Sequence, residues 1–166
     1  MTIVYTILAA IAAIAHLTLL LPRKAVVTRT ADMDLTPDQV VACISSTEGF
    51  QAFNPYKATD PDLKITPFGP AAGVGAGFRF EGKEGKGTQT IVAVDEKSVT
   101  YQIDLGAMGK PVQIISAAPH GAGARVTWTV TSDLGYNPIF RVVGLFMDRM
   151  LGQTYELGLE RLKAAA

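Results

Sequence analysis

The side chains best suited to chemistry in this chain are few and scattered. Of its 166 residues two are histidine and one is cysteine. A zinc site needs several His, Cys or carboxylate ligands converging on one point. His16 falls in an apolar run, and His120 sits in a Pro-His-Gly turn, where a solvated imidazole is the first reading and a general base the second. Cys43, among Val40, Val41 and Ile44, reads as a small buried hydrophobe, and a single cysteine excludes an internal disulfide. No Gly-x-Ser-x-Gly elbow sets a serine beside a base. Gly73-Val74-Gly75-Ala76-Gly77 invites a phosphate-loop reading, but such a loop works by aiming a helix N-terminus at phosphate. Here the glycines lead into the alternating Phe78-Arg79-Phe80-Glu81, a strand, and no Gly-Lys-Ser/Thr follows. The expectation is no metal and no cofactor, with catalytic residues unassigned.

Fifteen basic and fifteen acidic residues give zero formal net charge, so the electrostatic footprint of a nucleic-acid binder is missing. What remains is apolar chemistry with a few polar side chains placed in it. Arg79, Tyr101, Gln102 and Asp104 lie on expected strands and Tyr155 on an expected helix. Alternation along a strand forbids Tyr101 and Gln102 from sharing a face, and Tyr101 is expected inside. Its first reading is core, with the hydroxyl reaching backbone; its second is a group that orients a ligand or polarises a carbonyl. Trp128, Phe78, Phe80 and Phe146 read as wall.

The elements that must position these groups are legible from period and punctuation. Residues 25–32 are rich in β-branched side chains and form a first strand. Thr36-Pro37-Asp38-Gln39 supplies an N-cap, a first-turn proline and early acidic charge, so a helix runs to about Ser46 and Gly49 ends it. An inward-folded aromatic loop follows over Phe50–Tyr56. Strands are then expected over 62–68, 78–81, 88–94, 99–105, 112–118 and 125–131, separated by short Gly- and Asp-rich turns, as in an antiparallel meander. The chain closes with one long helix over 138–163. Its apolar residues recur at spacings of three and four, including Ile139, Val142, Phe146, Met150 and Leu159, and that face needs a sheet to lie on.

Strand, short helix, meander and long final helix, taken in that order, resemble the START-like or SRPBCC superfamily. More narrowly the chain is similar to its polyketide cyclase/dehydrase and lipid-transport branch. The residues that carry the likeness are Thr36-Pro37-Asp38-Gln39-Val40, Phe53-Asn54-Pro55-Tyr56, the run GAGFRFEG from Gly75 to Gly82, Gly85-Lys86-Gly87, Arg125-Val126-Thr127-Trp128, and the run ELGLERL from Glu156 to Leu162. The likeness implies an α+β helix-grip fold over 25–166, in which a curved antiparallel sheet packs around the long C-terminal helix. It also implies a cavity between them for a lipid-like or other hydrophobic small molecule. Candidate cavity residues are Phe78, Arg79, Phe80, Tyr101, Ile103, Trp128, Phe146, Met150 and Tyr155. A polyketide cyclase or dehydratase-like enzyme is one alternative, and an interaction module with a solid core is another.

Residues 3–21 are almost all apolar, and as a helix they would extend about 28 Å, a bilayer-spanning length. Arg23, Lys24 and Arg29 follow the run and no basic side chain precedes it. That asymmetry favours a single-pass anchor over 1–24 with the domain on the cytoplasmic side. The alternative is a cleaved signal peptide with small-residue sites at Ala10-Ile11-Ala12 or Ala13-Ile14-Ala15, leaving an exported domain.

Overall fold

The structure is a computed structural model that describes residues 3–7 and 16–165. Seven strands form one antiparallel sheet: β1 (Lys24–Met33), β2 (Lys64–Phe68), β3 (Gly77–Gly82), β4 (Gly85–Asp95), β5 (Ser98–Asp104), β6 (Val112–His120) and β7 (Gly123–Asp133). Their order is β1-β7-β6-β5-β4-β3-β2, so β2 to β7 are a sequential meander and β1 joins its far edge. Tight turns enforce this order. Gly121, at φ 58°, sits in the β6–β7 turn, a conformation that only glycine adopts without strain. In β4 the register slips between Ile91 and Ala93, a bulge that bends the strand and helps curve the sheet.

Five helices complete the domain: α1 (Pro37–Ile44), α2 (Thr47–Phe53), α3 (Tyr56–Thr59), α4 (Pro138–Gly144) and α5 (Met147–Ala164). The Thr36 hydroxyl accepts from the Gln39 N–H while the Gln39 side chain returns a bond to the Thr36 N–H, closing a capping box. α1 ends at Ile44 rather than near Ser46, because Ser46 instead caps a new helix by accepting from Gly49 N–H at 2.9 Å. Gly49 therefore does not terminate α1. It sits in the first turn of α2, where any side chain would strike the Cys43 carbonyl. The aromatic loop is likewise largely helical and turned inward, with Phe50 and Phe53 buried.

The single final helix expected over 138–163 is two helices, broken at Leu145 and Phe146 just after Gly144, a weak helix former. Only α5 grips the sheet. Its Tyr155, Leu159 and Leu162 are buried against Trp128 and Val126, whereas Ile139, Val142, Val143 and Phe146 stay exposed. Across β1, Arg29 bonds Asp148 at 2.8 Å and Glu156 at 2.6 Å, two residues two turns apart on α5. Its guanidinium lies in the notch left by Gly152, while Gly158 leaves room for the Trp128 ring and Gly144 for Leu134. These three glycines are close-packing contacts.

Ahead of the domain, residues 3–7 and 16–18 are helical and exposed, save a partly buried Thr18. Among the described residues no helix is long and apolar enough to cross a membrane. The centre of the expected span, residues 8–15, lies outside the described residues. The end of the run is fastened to α4: buried Arg141 donates to the carbonyls of Leu19, Leu21 and Gly135.

Candidate ligand cavity

Between the sheet and the α3–α5 side lies a cavity of about 380 Å³. The sheet contributes Phe78 and Phe80 from β3, Ile103 from β5 and Val130 from β7, and the first turns of α5 contribute Met147, Met150 and Leu151. Leu105 and Met108, in the turn after β5, complete the apolar rim. Side chains two apart on one strand share a face, which is why Phe78 and Phe80 arrive together. A volume above roughly 300 Å³ is ligand-sized and is not expected of a solidly packed interior.

A few polar groups interrupt this lining. Tyr155 stacks on Trp128 at 5.2 Å between centroids, and Tyr56 lines the cavity from α3. Burial pushes both phenols above the ordinary tyrosine range. They are therefore neutral at physiological pH and act as hydrogen-bonding groups, not as bases. Gln89 and Gln113 approach from β4 and β6, on either side of β5; they are 6% and 2% exposed, and neither Nε2 has a hydrogen-bond partner among the described residues. Asn54 and Asp60 also border the cavity but are committed to the local chain. Asn54 accepts from Tyr56 N–H, and Asp60 accepts from the N–H groups of Asp62 and Lys83. This arrangement can enclose an apolar body and hydrogen-bond oxygens on it.

Of the residues expected here, Phe78, Phe80, Ile103, Met150 and Tyr155 meet at the cavity. The other four do not. Arg79 points to the opposite face, where its guanidinium lies 5.5 Å from the Phe68 ring centroid, as alternation with Phe78 and Phe80 requires. Tyr101 is buried core whose hydroxyl donates to the Ile44 carbonyl at the end of α1, and it borders only a void of about 10 Å³. Trp128 is wholly buried among Phe50, Phe53 and Tyr155. Phe146 is exposed at the break between α4 and α5. Gln102 and Asp104 also lie outside the cavity lining: Gln102 bonds the Lys110 carbonyl and Asp104 pairs with Lys110. His120 is remote, beside Arg125 and Asp32 at the end of β6.

Gln89, Gln113 and Tyr56 line the cavity as well, outside the residues expected from sequence. The two glutamines were detectable, since Gln113 shares its strand parity with the inward Ile115 and Ala117. Tyr56 carried no such signal, because its position depends on how α3 folds back.

No functionally curated protein matches this sequence significantly. Solved structures do share its fold. A protein designated CV1439 from Chromobacterium violaceum superposes with a TM-score of 0.61 at 13% identity, covering 84% of this chain and 96% of its own. The KanY protein, solved in solution, gives 0.65 at 18% identity over 85% and 96% of the two chains. The di-domain ARO/CYC StfQ from the steffimycin biosynthetic pathway gives 0.63 at 11% identity, over 86% of this chain and 50% of the di-domain one. The profile of the family described as polyketide cyclase / dehydrase and lipid transport matches residues 24–166. With its seven-stranded sheet gripping α5, the chain belongs to that family.

Proposed function

We propose that the domain binds a lipid-like or other hydrophobic small molecule in the cavity between the sheet and α5. The observation that carries this reading is a cavity of about 380 Å³ whose lining is mostly apolar. Burying a hydrocarbon of moderate size there supplies the main driving force at about 25 cal/mol per Å², and the buried amides and phenols fix orientation. Titration of delipidated protein with cis-parinaric acid, a polyene that fluoresces in apolar surroundings, is expected to saturate at one molecule per chain. Fluorescence that rises without saturation, or not at all, would sink the reading.

A cyclase or dehydratase-like reaction is the second reading, favoured by the Tyr56–Tyr155 pair in the cavity wall. Neutral phenols donating to a carbonyl would polarise it and stabilise the negative charge that develops on its oxygen as the α-proton passes to water, promoting enolisation or dehydration of a polyketide-like substrate. Tyr155→Phe should then abolish turnover while leaving binding of a substrate analogue within a few-fold. Equal loss of both would leave the tyrosine a binding group only.

We also place residues 3–21 in a membrane with the domain on its cytoplasmic side, supported by the apolar run and the basic residues that follow it. The protein should resist alkaline extraction from membranes, and the domain should survive protease added to intact cells. Release by alkaline wash argues for a peripheral or exported form.

A further inference from the structure

Among the described residues the apolar face of α4 has no partner. Eight large apolar side chains between Tyr136 and Met150 are exposed, whereas the rest of the domain from residue 22 onward exposes six, scattered over β1, β4, β6 and two loops. Ile139 is 69% exposed, Phe146 56% and Met150 63%. Leaving such a cluster in water is unfavourable, and a contiguous patch of this kind marks an interaction surface.

Two further observations identify what covers it. Arg141, buried at the root of α4, holds the carbonyls of Leu19 and Leu21, so the apolar N-terminal run ends against this helix. Leu17, Leu19 and Leu20 are themselves exposed and extend the same surface. The charges that border the face are paired, Arg23 with Asp133 and Arg29 with Asp148 and Glu156. An apolar surface continuous with the end of an apolar run suits the hydrocarbon boundary of a lipid layer.

We propose that α4 and the first turn of α5 insert into the same lipid surface that receives the N-terminal segment. This inference rests on the membrane reading of residues 3–21 and adds a second contact. Its consequence concerns access: Met147, Met150 and Leu151 line the cavity and follow directly on the exposed Phe146. With α4 in the interface, the cavity opens beside hydrocarbon, and an apolar ligand enters without crossing bulk water.

The test uses the full chain carrying Phe146→Trp and vesicles of phosphatidylcholine with one quarter phosphatidylglycerol, prepared with or without brominated acyl chains. Trp128 is fully buried and is a constant background. A second variant, Val92→Trp, places the probe at an exposed position on β4 as the control. Flotation reports whether the protein binds vesicles at all. The expected result is co-flotation, with bromolipid quenching of the Phe146→Trp signal by at least half and none at Val92→Trp. Co-flotation with no quenching at either position keeps the N-terminal contact and overturns this inference. Failure to float overturns the membrane reading and the inference with it. Shielding of the new tryptophan from acrylamide before vesicles are added would show that the chain itself or a second copy covers the face, and also overturns it.

Discussion

Replacing Ile103 with tryptophan separates a cavity from a core by the sign of a stability change. Ile103 lies mid-sheet on β5, paired with Gln89 on β4, its side chain facing the cavity of about 380 Å³. In a close-packed interior the larger indole would force neighbours off their rotamers, at a cost of about 1–3 kcal/mol. Here it has space to enter. It would bury on the order of 50 Å² of additional apolar surface, stabilising the ligand-free protein by roughly 1 kcal/mol at 25 cal/mol per Å². For a domain of this size that raises the melting temperature by about 2–4 °C. The same indole occupies ligand volume, so affinity for cis-parinaric acid should fall at least tenfold. Urea denaturation with and without the polyene measures both quantities. A loss of 1 kcal/mol or more together with unchanged polyene binding would refute the cavity reasoning.

Further outcomes follow from contacts elsewhere. At Gly158 an added Cβ would lie 2.5 Å from the Trp128 ring and 3.4 Å from Pro55, and the indole, stacked on Tyr155, has nowhere to retreat. Gly158→Ala should therefore destabilise the domain by about 1 kcal/mol net, overpacking outweighing the gain in helix propensity; a stabilised variant would contradict that packing. Gln113→Leu removes a buried amide whose nitrogen lacks a partner, and the ligand-free protein should gain about 1 kcal/mol; a loss in the same melt would mean the amide is satisfied. Hydrogen bonds from Arg125, Arg29 and Arg23 hold the carboxyls of Asp32, Asp148 and Asp133 below the ordinary range. Because these folded-state values are depressed, their stabilisation is present above the unfolded value of about 4 and is lost as pH falls below it through the folded values. Melting temperature should be level from pH 5 to 7 and drop below pH 4, with the drop reduced in Arg125→Met.

The architecture could be read from sequence because each signal was local. Thr36 and Gln39 sit at capping-box spacing, Val99, Tyr101 and Ile103 alternate cleanly, and glycines mark the turns of the meander. The failures arose where tertiary contact decides. Gly144, Gly152 and Gly158 gave no hint of whether they lined space or admitted Leu134, Arg29 and Trp128. The helix break at Leu145 was hidden because apolar spacing continues through it, although the face it predicts is half unused. Tyr101 and Trp128 show why core and cavity wall look alike in sequence: both are large, inward and on strands, and only the position of α1 and α2 fills the space in front of them. Arg79 was a different matter, since alternation with Phe78 and Phe80 already excluded it from their face.

The central claim is occupancy of that cavity by an apolar molecule. Delipidated protein, mixed with a membrane extract, passed through a sizing column and analysed by native mass spectrometry, reports it directly. One apolar compound should be retained per chain, displaced by cis-parinaric acid and not retained by Ile103→Trp. A folded protein that emerges empty from several extracts would contradict it.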